Sequence, residues 1–257
     1  MRRAWGAAMA IAALTAGAVG CGGDDSGGGG SPSGRTRLVV SAASSMTSAL
    51  ESCAPEFGKE ENADVRLSFA GSDELAAQIR QGAKVDVYAA AATKLPEQLH
   101  GEGLLNKPVE FATNELVLAV PNASDIGSLD DLTQADTPIV IGSESVPVGA
   151  YTREVLGRLP SGQEKKIMAN VRSNEPDVKG VVGKLTQGAA DAGFVYRTDL
   201  TDGLKAVELP DDLQPVVEYG AGVVKGANRP ELAQQYLDGL SDGACADALQ
   251  SAGFGAS

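Results

Sequence analysis

The chain has 257 residues and a formal net charge of −13, from 21 Lys and Arg against 34 Asp and Glu. A hydrophobic share of 43% and a charged share of 21% provide for a packed core, and the acidic balance excludes functions that grip nucleic-acid phosphates, which need a basic footprint. With one histidine, His100, and three cysteines, a His-rich metal site is excluded and any Ser-His-Asp or Cys-His triad depends on His100 alone.

The chain opens as a targeting segment. Arg2 and Arg3 precede an apolar, Ala-rich run from Ala4 to Val19, too short for a membrane span of about 20 residues and suited to a secretory signal. It ends in Ala18-Val19-Gly20-Cys21, small residues before a cysteine, similar to a bacterial lipobox. Residues 1–20 are read as a lipoprotein signal peptide and Cys21 as the lipidation site. Residues 21–35 then form a Gly/Ser-rich, lipid-anchored tether that holds a globular domain clear of the membrane. Cleavage would remove Arg2 and Arg3 and leave 19 basic against 34 acidic residues, or −15. In an exported protein, Cys53 and Cys245 are either a disulfide or two buried thiols, and the oxidising compartment favours the bond.

Strands and helices alternate through the rest. Arg37–Ser41 is a β-type run, followed by a helix over about 46–59 that Pro55 should kink or restart. Residues 64–69 alternate Val65, Leu67 and Phe69 with polar residues, the period of a strand. A helix over 73–81, a strand over 85–90 and a helix over 95–101 come next. Apolar runs at 116–120 and 138–141 read as strands, 150–158 and 176–187 as helices, and 192–196 as a strand. An extended segment at 216–224 carries a Tyr-Gly-Ala-Gly break, and Pro230 opens one last helix to about Gln250. This alternation predicts an α/β fold with largely parallel sheets.

Four segments carry the functional signal, each placed where a strand gives way to a helix. They are Ala42-Ala-Ser-Ser-Met-Thr47, Phe69-Ala-Gly-Ser72, Gly142-Ser-Glu-Ser-Val-Pro-Val-Gly-Ala-Tyr151 and Glu175-Pro-Asp-Val-Lys-Gly180. In α/β folds ligands bind beyond the carboxyl ends of strands, where helix N-termini present free N–H groups and partial positive charge. Small residues let the backbone itself reach a ligand. Taken singly, Ser45 and Ser72 read as helix N-caps and Pro147 and Pro176 as helix-start prolines. Four such starts in one exported chain read as an anion site.

In order, Ala-Ser-Ser-Met-Thr, Phe-Ala-Gly-Ser, Val-Pro-Val-Gly-X-Tyr, Asp-Val-Lys-Gly and Asp191-Ala-Gly-Phe-Val-Tyr196 resemble the molybdate-binding proteins of ABC importers, from about Arg37 to Phe254. The resemblance implies a two-lobed periplasmic-binding-protein type 2 fold, with residues 36–116 plus 220–257 as lobe I and 117–219 as lobe II. The crossovers would lie near Asn114–Leu118 and Glu218–Gly222, which returns the C-terminal helix to the neighbourhood of Cys53. Molybdate, and tungstate with it, would be held by Ser45 and Ser72 through hydroxyl and backbone N–H, by Val148 and Val178 through backbone N–H, and by the Tyr196 phenol. The sequence departs from the family in Asp73 and Glu74, which follow Ser72 where small or neutral residues are usual, and in Ala92-Thr93.

The resemblance further implies no enzyme, no cofactor and no metal beyond the molybdenum of the oxyanion. It implies a monomer that delivers its ligand to an ABC permease and its ATPase. The site would be extracytoplasmic, lipid-anchored to the outer face of the bacterial cell membrane, with no nucleic-acid partner. A binding protein for sulfate or phosphate is the alternative. A serine hydrolase would have to recruit His100, which the pattern Leu99-His-Gly-Glu102 places at an exposed helix end.

Overall fold

The computed structural model describes residues 34–257; the signal segment, Cys21 and the start of the tether lie outside the described residues. In chain order the elements are β1 (Thr36–Ala43), a 3-10 turn at Ser44–Met46, α1 (Thr47–Glu60), β2 (Ala63–Ala70), α2 (Ser72–Arg80), β3 (Val87–Ala90), α3 (Lys94–Gly101) and β4 (Val109–Asn114). There follow β5 (Leu116–Pro121), β6 (Ile139–Gly142), α4 (Pro147–Gly157), α5 (Ser161–Ala169), β7 (Val171–Glu175), α6 (Val178–Thr186), β8 (Ala192–Tyr196) and β9 (Leu204–Val207). The chain closes with β10 (Val217–Val223), α7 (Pro230–Gly239) and α8 (Ala244–Ser251).

The strands form two five-stranded sheets, β2-β1-β3-β10-β4 and β7-β6-β8-β5-β9. Each sheet has the same plan. Three strands run parallel, β2-β1-β3 in one and β7-β6-β8 in the other. The remaining pairings, β3-β10-β4 and β8-β5-β9, are antiparallel. The sheets are therefore mixed, where alternation alone suggested largely parallel ones. The cause is the double crossover, since β5 and β10 each enter their sheet against the direction of its parallel strands. The first crossover is the single residue Glu115 between β4 and β5. The return runs through 208–216, earlier than the expected Glu218–Gly222, because Val217 already pairs with Asn114 in the first sheet.

Three other expectations shift. Helix α1 continues through Pro55 without a restart. A proline there removes one intrahelical hydrogen bond, and burial of Leu50, Cys53, Ala54, Phe57 and Gly58 on the core side holds the turn together. The expected single helix after Pro230 is two, α7 and α8, because the chain breaks around Gly243 at φ 143°, a backbone conformation that only glycine adopts readily. The strands β4, β7 and β9 and the helix α5 were not anticipated. Cys53 of α1 and Cys245 of α8 are joined, with S–S 2.01 Å and Cα atoms 5.0 Å apart, tying the two helices across 192 residues of sequence. Among the described residues, no helix is long and apolar enough to cross a membrane.

Candidate functional site: a cavity between two sheets

The cavity of interest lies where the carboxyl ends of all six parallel strands converge. It is lined by Ala43, Ser44 and Ser45 after β1, by Ala70, Gly71 and Ser72 after β2, and by Ala91 after β3. From the second sheet come Val146, Pro147 and Val148 after β6, Asp177 and Val178 after β7, and Tyr196, the last residue of β8. This is the expected place for a ligand in an open α/β sheet. The five residues named from the resemblance, Ser45, Ser72, Val148, Val178 and Tyr196, all line this one cavity.

The local sequence explains the convergence. Ser72 is the first residue of α2 and Val178 the first of α6, and Val148 follows Pro147 at the start of α4. The first N–H groups of a helix have no carbonyl within it to bond. Pro147 suits the first helical position, since it has no N–H to leave unpaired. Gly149 lets α4 press onto the end of β6, for a Cβ there would stand 1.9 Å from the carbonyl oxygen of Ser143. At α6 the Asp177 side chain caps the helix by accepting from the Gly180 N–H at 2.9 Å, so this carboxylate is turned onto its own helix although the residue borders the cavity.

Neither serine hydroxyl caps its helix: the cap position of α2 is Gly71, and no side-chain cap bond exists there or at α1. Both hydroxyls instead already accept a hydrogen bond. Ser72 Oγ accepts the Ala91 N–H at 3.2 Å, and Ser45 Oγ accepts the Tyr219 hydroxyl at 3.0 Å. With the acceptor side engaged, the hydroxyl proton of each serine is left to point elsewhere, and both residues border the cavity. The Ser72 carbonyl is held in turn by the Tyr88 hydroxyl at 2.7 Å.

Tyr196 is 1% exposed, and its hydroxyl has no hydrogen-bond partner among the described residues. Burial is the main cause that holds the phenol well above its ordinary pKa, with Tyr219, Tyr151 and Asp199 adding to it. It is thus a protonated donor at neutral pH. A buried donor without an acceptor is costly, and the cavity is where an acceptor would go.

Among the described residues, no lysine or arginine lines the cavity. Asp73 and Glu74 do not line it either; Glu74 accepts from Gln78 and Asp73 Oδ1 is buried without a partner among the described residues. His100 is on α3 with Nδ1 3.0 Å from the Leu105 carbonyl, away from the cavity. Among the described residues no cluster of His, Cys, Asp and Glu could hold a metal ion. Sequence reading missed the residues behind the site. Tyr219 supports Ser45, and Asn114 Nδ2 donates to the Tyr219 hydroxyl at 3.3 Å and to Thr198 Oγ1 at 2.8 Å. The one sequence signal for Tyr219 was the Tyr-Gly-Ala-Gly break in β10.

Two five-stranded sheets with a cavity of converging helix N-termini between them form a two-lobed α/β architecture. The chain belongs to the family of bacterial extracellular solute-binding proteins, whose profile matches residues 38–255. It is similar to the molybdate-binding protein ModA of Mycobacterium tuberculosis, with 34% identity over 252 residues covering 95% of this chain and 94% of the relative. It is also 31% identical over 235 residues to the molybdate-binding protein ModA of Escherichia coli, covering 85% and 88% of the two chains. The periplasmic molybdate-binding protein of Azotobacter vinelandii shares the fold, with a TM-score of 0.74 at 22% identity over 84% of this chain and 98% of that one.

Proposed function

We propose that the protein captures molybdate from outside the cell, with tungstate as an accepted analogue, and hands it to an ABC permease and its ATPase. The observation that carries this reading is the unpartnered, protonated Tyr196 hydroxyl in a cavity otherwise lined by helix starts and two serines whose acceptor sides are engaged. The names of the relatives supply the particular oxyanion. Lobe I, built on the sheet β2-β1-β3-β10-β4, contributes Ser45 and Ser72, each through hydroxyl and N–H. Lobe II, built on the sheet β7-β6-β8-β5-β9, contributes the N–H groups of Val148 and Val178 and the Tyr196 hydroxyl. That makes about seven hydrogen bonds to the anion, each contributing roughly 1.5–3 kcal/mol. Closure and immobilisation reduce the gross total to about −8 to −12 kcal/mol, a Kd in the micromolar to nanomolar range.

A site made of donors selects against a protonated anion. Hydrogen phosphate carries an O–H that would find no acceptor, and leaving it unpaired is costly. Sulfate is fully ionised and is rejected by size, because a cavity cut for the larger molybdate leaves its donors too distant. No chemistry is performed on the ligand, so the site needs no cofactor. The signal segment and Cys21 support a lipoprotein tethered to the outer face of the cell membrane, with the Gly/Ser-rich stretch as spacer.

Tyr196→Phe tests the reading directly. The variant is expected to fold as the wild type does and to bind molybdate about 1–3 kcal/mol more weakly in a calorimetric titration. Unchanged affinity would remove Tyr196 from the site.

A further inference from the structure

The donor set raises a question of orientation, since a hydroxyl rotates and serves as acceptor as readily as donor. At Ser45 the surroundings remove that freedom. The order begins at Asn114, the last residue of β4, beside the first crossover. Its Oδ1 accepts the Glu115 N–H at 2.9 Å, which fixes the amide group with Nδ2 toward Tyr219 and Thr198. Nδ2 donates to the Tyr219 hydroxyl oxygen at 3.3 Å. Tyr219, with its acceptor side engaged, donates to Ser45 Oγ at 3.0 Å. Tyr219 is 0% exposed, and its ring is held edge-on by Phe111, Tyr196 and Phe254, with centroids 6.2, 5.9 and 5.3 Å away. The hydroxyl therefore cannot swing away from Ser45 without unpacking the core.

We propose that Tyr219 is a specificity-determining positioning residue: by donating to Ser45 it forces the Ser45 hydroxyl to donate into the cavity, and it links that donor through Asn114 to the crossover between the lobes. The proposal rests on the oxyanion reading of the cavity above. Tyr219 itself does not line the cavity, so its influence on the ligand passes through Ser45. Three donors in series, Asn114 to Tyr219 to Ser45, polarise one another and strengthen the last of them. Without the Tyr219 hydroxyl, the Ser45 proton is free to turn away from the cavity toward the vacated space, and Ser45 then offers a protonated oxyanion an acceptor in place of a donor.

The test is a double-mutant cycle on Tyr219→Phe and Ser45→Ala, with molybdate and inorganic phosphate as titrants at pH 6, where phosphate is largely protonated. Phenylalanine keeps the ring packing and removes only the hydroxyl. Tyr219→Phe is expected to raise the molybdate Kd about tenfold and to narrow the preference for molybdate over phosphate by more than that factor. In a Ser45→Ala background the same change is expected to have little further effect on molybdate, because the two residues act as one unit. A folded Tyr219→Phe protein with wild-type affinity and selectivity would overturn the proposal, as would an equal loss in the Ser45→Ala background. A role in stability alone would lower the melting temperature and leave the preference between anions in place, which also counts against it. If Tyr219→Phe does not fold, Asn114→Ala probes the same chain from its outer end, with a smaller loss expected for molybdate and wild-type binding contradicting the chain. A wild-type protein that binds sulfate instead of molybdate would overturn the ligand assignment alone, and the same cycle run on sulfate would still decide the role of Tyr219.

Discussion

At the scale of single residues, the sharpest tension near the cavity is a buried carboxylate. Asp199 follows Tyr196 by three positions and is 2% exposed. Lys179, next to Val178, places its Nζ 2.7 Å from Asp199 Oδ1. Lys179 acts on the carboxylate both by its charge and by a side-chain contact at hydrogen-bond distance, and both oppose the effect of burial. Burial pushes the Asp199 carboxyl up to about 6, with Lys179 opposing that rise and Asp177 adding to it. A carboxyl whose folded-state pKa lies above its unfolded value favours folding at low pH, and that contribution is lost as pH rises through about 6. Removing the cation makes the loss larger. Lys179→Met is expected to lower stability by roughly 1–3 kcal/mol at pH 8, less than a fully buried pair would lose because Lys179 is partly solvated. At pH 5, where Asp199 takes up a proton, the loss should be smaller. Urea unfolding at the two pH values measures both, and equal losses would contradict the charge argument.

At the scale of elements, the start of α2 meets the start of α6 across the cleft. A Cβ placed on Gly71 would stand 2.4 Å from the Pro176 carbonyl oxygen and 3.3 Å from Val146 Cγ1, both on the opposite lobe. Gly71 has φ −60° and ψ 138°, which alanine adopts freely; within its own lobe a methyl meets only the Asp73 side chain, whose Oδ1 would stand 2.9 Å away and has to turn aside, so the main obstruction is to the approach of lobe II. Gly71→Ala is expected to leave the melting temperature of the free protein nearly unchanged and to weaken molybdate binding at least about tenfold, because closure costs enter the affinity directly. Wild-type affinity in this variant would show that the two helix starts need not meet. The helix starts themselves were legible in the sequence, because small residues, prolines and serines at strand ends are local signals. So were β2, by its alternation, and β8, by its apolar run. The strands that escaped, β4, β7 and β9, are all sheet edges. An edge strand is less buried, and β7, read as Val-Arg-Ser-Asn-Glu with no fully buried residue, has no hydrophobic period to find. The Asn114–Tyr219–Ser45 chain was illegible for a different reason. Its members come from β4, β10 and the turn after β1, and only the register of β10 against β4 and β3 brings them together.

At the scale of the whole molecule, two similar mixed sheets are joined by Glu115 and by the 208–216 return, with Arg197 pairing to both Glu115 and Glu208 beside them. The disulfide lies wholly within the first lobe, between α1 and α8, and leaves the lobes free to move against each other. The excess of acidic residues sets a field that opposes an anion. On the proposed reading, the cavity answers it with backbone dipoles and hydroxyl protons in place of lysine or arginine, and selectivity follows from the same choice. On that reading, an unprotonated tetrahedral oxyanion of molybdate size is held between the lobes by uncharged donors. The most direct measurement is a calorimetric titration of the wild-type protein with molybdate, tungstate, sulfate and phosphate in one buffer. One-to-one binding of molybdate and tungstate with Kd at or below the micromolar range, and binding of sulfate and phosphate weaker by at least about a hundredfold, is the predicted result. Phosphate binding as tightly as molybdate, or no binding of molybdate at all, would contradict it.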